Sequence, residues 1–196
     1  MAASSPFYDP DELLGLGCTT IGRQVRVSRL AQLHKFHGAL GHHVRIDDFT
    51  ILKGRVDLGS YVHISSFCLL GGTGGQIVFD DFSTTAAYVG VYTASDDYAS
   101  PLLTNSVVPA DLKRGFTGDV RIGRGVVIGA HCVVLPHAVV EDYATIGALC
   151  IVNGVFARGS VHVTGAGRPR QIGRRDIVRI QQAEAEALRR LSEEEA

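Results

Sequence analysis

The side chains able to do chemistry in this 196-residue sequence fall into separate groups. His63 stands in Tyr61-Val62-His63-Ile64. An imidazole of ordinary pKa, about 6.5, accepts a proton from an amine or hydroxyl near neutral pH; the plainer alternative is a surface histidine with a structural hydrogen bond. Asp96 and Asp97 precede a stretch containing Pro101, Pro109 and several polar residues. Carboxylates there could orient a hydroxyl, hold an ammonium or take its proton, although paired aspartates also cap loops. Asp47 and Asp48 read as corner and surface residues, with a substrate contact as the alternative. Arg168, Arg170, Arg174 and Arg175 follow Gly165-Ala166-Gly167, and guanidinium forks match phosphate oxygens; otherwise they form a solvated basic stretch. Gly71-Gly72-Thr73-Gly74-Gly75 could bring bare backbone to a phosphate. It lacks the lysine of a nucleotide-binding loop and reads as a connecting loop.

What these groups can do depends on the elements that hold them. An aliphatic residue, often followed by Gly or Asp, recurs every six residues, with a small or β-branched residue four places on. The clearest run is Ile122, Ile128, Val134, Val140, Ile146 and Val152. Earlier come Ile21, Val27, Leu33, Leu40, Ile46 and Leu52, then Leu58, Ile64, Leu70, Phe79, Thr85 and Val91. A period of six fits neither one face of an α-helix nor simple strand alternation. It fits a short strand plus a corner, with the aliphatic residue inside and Gly, Asp or Asn supplying unusual dihedrals at the corner. Three hexads close one triangular coil, so these positions make six coils, stacked about 4.8 Å apart. The fold class expected is all-β, a left-handed parallel β-helix over residues 21–163. Residues 1–20 form an N-terminal helical segment, and 164–196 a tail and helix.

The repeat breaks at a single extra residue near Gly38, at the glycine-rich stretch, and at a long excursion over 97–119. A long loop on a regular scaffold is usually functional. Asp9-Pro10-Asp11-Glu12 predicts a helix start with Asp9 as N-cap, Pro10 first and Glu12 third. Ile177, Ile180, Ala183, Ala187, Leu188 and Leu191 recur at helical spacing, predicting a terminal amphipathic helix that covers the solenoid end or packs on a neighbour.

The register sorts the remaining candidates. His63 ends a hexad and faces outward near a corner. His131 and His137 share one hexad position on adjacent walls, so they diverge and cannot share an ion. His42 and His43, neighbours on one strand, diverge as well; His34 and His37 could converge but lack a third ligand. No metal site is expected. Cys68, Cys132 and Cys150 fall in one internal column with Ala31, Thr50 and Val89, as small core residues and not nucleophiles. A net charge of −1 with mixed signs argues against nucleic acid or an anionic membrane as partner. No apolar run spans a bilayer, Met1 to Pro6 shows no signal peptide, and four cysteines without scaffold spacing suit a reducing, cytoplasmic setting.

From Phe7-Tyr8 to about Arg175 the sequence resembles the hexapeptide-repeat sugar acetyltransferases. The motifs that carry this are Arg45-Ile46-Asp47-Asp48-Phe49, Tyr61-Val62-His63-Ile64, Asp80-Asp81-Phe82-Ser83, Ser95-Asp96-Asp97-Tyr98, Leu103-Thr104-Asn105 and Pro109. The likeness is strongest to the bacterial O-antigen-cluster acyltransferases that acetylate dTDP-4-amino-4,6-dideoxyglucose; the galactoside and maltose O-acetyltransferases are more distant. Two general bases of the fold are replaced: Asp96 stands where the O-acetyltransferases carry a histidine, and Gly54 where the sialic-acid and bacillosamine-type enzymes do.

The resemblance implies acetyl transfer from acetyl-CoA to the amino group of a nucleotide-linked sugar, in lipopolysaccharide or polysaccharide biosynthesis. O-acetylation of a sugar or glycan hydroxyl is the alternative. A zinc lyase of carbonic-anhydrase type and a non-catalytic scaffold represent other classes. It further implies a homotrimer with sites between chains, His63 and Asp96 handling the proton, and Asp97, Tyr98 and Asn105 on the acceptor. Gly129, Ala130, Gly147 and Ala148 would let the pantetheine arm approach the backbone, and the tail arginines would hold CoA.

Overall fold

The structure, a computed structural model, describes residues 5–165 and 168–194. The hexad positions stack into three walls of parallel strands. On the first, Ile21 lies opposite Leu40, then Leu58, Phe79, Ile122 and Val140 follow coil by coil. The second wall runs Val27, Ile46, Ile64, Thr85, Ile128, Ile146. The third runs Leu33, Leu52, Leu70, Val91, Val134, Val152. All are buried except Ile21 and Leu33, which are half-buried at the open N-terminal end. Each fully buried aliphatic side chain contributes about 1.5–3 kcal/mol. The repeat continues further than its aliphatic spacing suggests. Phe156 pairs beyond Val140 and His162 beyond Ile146, a partial seventh coil hidden because Phe156 follows Val152 by only four residues and His162 is polar.

The recurring glycines have a different cause from the one expected. Gly22, Gly41, Gly59, Gly123 and Gly129 follow inward aliphatic residues but are not left-handed. They are needed because the next coil is too close. A β-carbon on Gly41 would lie 2.5 Å from the carbonyl carbon of Gly59, and one on Gly129 would lie 2.4 Å from the Ala148 nitrogen. The left-handed corners fall mostly on bulky residues: His43, Tyr61, Phe82 and Tyr143 at one edge, Phe49, Phe67, Tyr88, His131 and Leu149 at the next. Their rings stack along the axis. Phe49, Phe67, Tyr88 and His131 form a ladder with centroids 4.8–4.9 Å apart. His42 and His43 therefore sit in a turn, not on one strand, with His43 stacked on Tyr61 at 4.8 Å.

The glycine-rich stretch is an insertion, as the break in spacing predicts, but it is carried in extended backbone. Strand Leu69–Phe79 includes it, while the pairing jumps from Lys53–Gly71 to Arg55–Gln76, so residues 72–75 stand opposite Gly54 alone; strand Gln32–Leu40 carries a smaller irregularity against Ile51–Leu58 at the same corner. The ends behave as the N-cap and periodicity predict. Helix α1, Pro10–Gly15, begins with a capping box in which Asp9 and Glu12 accept each other's backbone N–H. Helix α2, Ile177–Glu194, is fixed near its middle, where Glu184 accepts from Arg124 Nε at 3.0 Å and Tyr143 Oη at 3.3 Å. Before it, strand Arg168–Arg174 pairs antiparallel with Ser160–Gly165, so the basic tail extends the second wall.

The cysteine column is as the register requires. The backbone N–H following each member bonds to the next coil from Thr50 through Cys68, Val89 and Cys132 to Cys150. All four cysteines are free and buried. Burial pushes the Cys18 thiol up to about 11 and raises Cys68 and Cys132 as well. Since the thiolate is the reactive form, the folded protein at pH 8 should label slowly with a thiol reagent and release four thiols only on denaturation. A native disulfide between Cys132 and Cys150 would contradict the stacking.

Candidate active site

The excursion is a hairpin mounted on the third wall. Its arms, Ala94–Asp96 and Gly115–Thr117, pair antiparallel with Asp96 opposite Gly115. Its base is bonded to the scaffold, Thr93 N–H to the Gly71 carbonyl at 3.3 Å and Gly118 N–H to the Thr93 carbonyl at 3.0 Å. Local turns shape the tip. Asp97 Oδ1 accepts from Ala99 N–H at 3.1 Å, and Asn105 Oδ1 from Val107 N–H at 3.0 Å. Between the arms and Thr73 lies a cavity of about 410 Å³, also lined by Asp96, Ser106, Lys113, Arg114 and Phe116. Asp96 is exposed on its wall, so a carboxylate and two cations border one space. Tyr98 is 84% exposed. Asp97 turns toward its own loop, 3.8 Å from Arg114 Nε.

His63 lies on a different wall and does not line this cavity. It is half-exposed on strand His63–Ile64, and its Nε2 is 2.8 Å from Asp47 Oδ2. Asp47 Oδ1 in turn accepts from Arg45 Nε at 2.7 Å. Burial raises the Asp47 carboxyl, but hydrogen bonds from His63 and Arg45 outweigh it, and the group titrates below the ordinary carboxylate range. At neutral pH Asp47 is thus a carboxylate that fixes the ring. In the sequence Asp47 reads as a corner or surface residue, or as a substrate contact, and not as the partner of His63. The available signal is the alignment of Arg45-Ile46-Asp47 over His63-Ile64-Ser65, which makes Asp47 and His63 diagonal outward neighbours on adjacent coils.

At the C-terminal end, Gly129–Ala130 and Gly147–Ala148 lie side by side on adjacent coils, with little side chain between backbone and solvent. Arg168 and Pro169 line a cavity of about 570 Å³ with Ile151, Asn153, Phe156 and His162. Arg170 and Arg174 are exposed on the same strand. Arg175 instead braces the scaffold. Its Nη1 donates to the carbonyls of Gly125 at 2.8 Å and Tyr143 at 3.2 Å. Ala166 and Gly167 lie outside the described residues. Among the described residues, no three His, Cys, Asp or Glu side chains converge as metal ligands, and no helix is long and apolar enough to cross a membrane.

Residues 119–154 match the bacterial transferase hexapeptide (six repeats) family. The chain is 30% identical over 151 residues to the dTDP-4-amino-4,6-dideoxy-D-glucose acyltransferase of Escherichia coli, covering 75% of this chain and 78% of that protein. This chain is a member of the hexapeptide-repeat acyltransferase family. The hexapeptide-repeat acyltransferase also superimposes on AntD, an N-acyltransferase from Bacillus cereus solved with dTDP and 3-hydroxybutyryl-CoA. The TM-score is 0.86 and the identity 31%, over 96% of this chain and 99% of AntD. An AntD variant solved with dTDP-4-amino-4,6-dideoxyglucose and coenzyme A gives 0.84 and 30%, over 94% and 100%. A maltose O-acetyltransferase from Clostridium difficile shares the fold alone, at 19% identity and a TM-score of 0.54, over 84% of this chain and 73% of that one.

Proposed function

We propose that this acyltransferase moves an acetyl group from acetyl-CoA to the amine of a dTDP-linked 4-amino-4,6-dideoxy sugar. The observation that carries this is the likeness, along nearly the whole chain, to an N-acyltransferase solved with a dTDP ligand and an acyl-CoA. The site's chemistry supports it: the exposed carboxylate of Asp96 suits an ammonium group, and Lys113 and Arg114 suit an attached phosphate. The amine attacks the thioester carbonyl, the carbon–nitrogen bond forms, and the CoA thiolate leaves and collects a proton. The thioester is already activated, so the protein contributes mostly positioning, with a backbone N–H aimed at the oxyanion. Asp97, Tyr98 and Asn105 shape the acceptor side. Gly129, Ala130, Gly147 and Ala148 give the pantetheine arm a close path, and Arg168, Arg170 and Arg174 meet the cofactor's phosphates. Arg175 holds the corner beneath them.

A single chain keeps His63 away from the Asp96 cavity, so the reading includes a homotrimer in which one chain's His63–Asp47 pair meets a neighbour's loop. The work is cytoplasmic, where acetyl-CoA and sugar nucleotides occur together, and serves surface-polysaccharide synthesis. Sedimentation at working concentration should give roughly three times the 21.0 kDa chain mass; a fully active monomer would sink the shared site.

The decisive assay mixes purified protein, acetyl-CoA and dTDP-4-amino-4,6-dideoxyglucose. Free CoA should appear together with a sugar nucleotide carrying one acetyl group that survives mild base, as an amide does. A base-labile product would instead indicate O-acetylation, and no CoA release would end the proposal.

The two proton-handling candidates separate by kinetics. If His63 is the base, His63→Asn should keep acetyl-CoA affinity and lower kcat by about 10²–10⁴. If Asp96 orients the acceptor, Asp96→Asn should mainly raise the acceptor KM. Undiminished turnover by His63→Asn would remove that histidine from the reaction.

A further inference from the structure

The corner between the third and first walls bulges outward on three consecutive coils. There His34 lies opposite Lys53 and then Gly71, and His37 opposite Arg55 and then Gln76. Lys35 and Gly54 are both left-handed at this bulge, with φ of 48° and 77°. The result is a groove of about 350 Å³ whose charged lining is Lys35, Lys53 and Arg55 and whose floor is Gly54 with residues 72–75, all glycine but Thr73. The glycines at its edge and floor are bare backbone of necessity. A β-carbon on Gly71 would lie 2.5 Å from the Lys53 carbonyl oxygen, and one on Gly72 2.3 Å from Thr93 Oγ1.

The three cations are uncompensated. Among the described residues no carboxylate pairs with any of them, and the one side-chain partner is Gln76, whose Oε1 lies 3.3 Å from Arg55 Nη2. The acids on the neighbouring strands are engaged elsewhere. Asp57 accepts from Ala39 N–H at 2.8 Å and from the Gln76 amide, and Asp119 accepts from Gln76 N–H at 2.8 Å. In a chain of net charge −1, three unpaired cations around bare backbone form a local positive field. Thr73 lines both this groove and the Asp96 cavity, so the two are contiguous. Arg114, inside that cavity, already faces Asp97.

We propose that this groove is a diphosphate-binding site, with Lys35, Lys53 and Arg55 holding the bridged phosphates of a nucleotide ligand over the glycine floor. Two lysines supply point charges, and the arginine supplies a fork for paired oxygens. The proposal rests on the reading of the chain as an enzyme that takes nucleotide ligands. A dTDP-sugar and coenzyme A each carry a diphosphate, so either can be the source.

The test is the triple variant Lys35→Ala, Lys53→Ala, Arg55→Ala, titrated calorimetrically with dTDP and with CoA. All three side chains are exposed, and an unchanged thermal midpoint checks that the fold persists. Affinity for one nucleotide should fall about tenfold or more, since three exposed pairings are lost. Loss confined to dTDP makes the groove the acceptor's diphosphate site, and loss confined to CoA makes it the cofactor's. Lys53→Arg should retain most of the affinity. A folded triple variant that binds both ligands like the wild type overturns the site. A wild type that binds both but forms no acylated product would sink the transfer reading and leave the groove standing.

Discussion

The spacing of about 4.8 Å between successive coils is the constraint to which the rest of the structure answers. It brings the backbone after several inward aliphatic residues so near the next coil that a β-carbon there would collide at Gly22, Gly41 and Gly129, whereas Asp47 and Asp80 are accommodated at the same hexad position. It also explains why bulky residues tolerate left-handed corners. That conformation costs a non-glycine residue roughly 1–2 kcal/mol. An aromatic pair returns about 0.5–1.5 kcal/mol beyond area burial, and the coil spacing sets ring centroids at Tyr61–Phe82 and Phe67–Tyr88 only 4.7 and 4.9 Å apart. The two magnitudes are comparable, so a column of rings offsets much of the strain that each corner carries alone. Where the column lacks a ring, at Gly125, the Arg124 guanidinium covers Phe82 at 4.8 Å instead.

Most of the scaffold was legible in the sequence because one inward position per hexad recurs from Ile21 to Val152 and resumes after each of three interruptions. The helix start at Asp9 and the cysteine column were legible for the same reason: each is a local pattern with a single physical reading. What was not legible was anything set by approach between coils. The glycine after the aliphatic residue looks like a turn residue along the chain, and only stacking reveals it as a spacing residue. Phe156 and His162 escaped because the last coil shortens a corner and places a polar ring in an aliphatic column. The insertion at 72–75 is legible as a break in the spacing, but its extended backbone is not, because glycines are a weak strand signal; Gly71 and Gly72 are required by the close approach of Lys53 and Thr93.

The candidate site was legible in part. Asp96 could be located because it stands where the repeat stops, and the structure puts it on a cavity. The partner of His63 was not seen, because Asp47 sits sixteen residues away in a different hexad. It becomes a neighbour only when outward positions on both sides of the inward residue are compared between coils. Arg175 has a second role that the sequence does not disclose. Its place in a basic run suggested phosphate, whereas its guanidinium holds the carbonyls of two corners.

These cases share a geometric cause. In a regular three-walled solenoid, side chains at one hexad position on neighbouring coils are parallel, and those on neighbouring walls point about a third of a turn apart. Groups at one hexad position on neighbouring walls therefore diverge, as His131 and His137 do. Convergence comes either diagonally between coils or where the repeat is broken. Asp47 and His63 meet diagonally across the inward column. Asp96, Lys113 and Arg114 meet because the hairpin leaves the wall. Lys35, Lys53 and Arg55 gather because three strands bulge at one corner. The hairpin and the bulge adjoin at Thr73, while the histidine pair stands on another wall. A reaction that needs all three must supply the missing side from outside the chain, and a second copy is the simplest body that carries it.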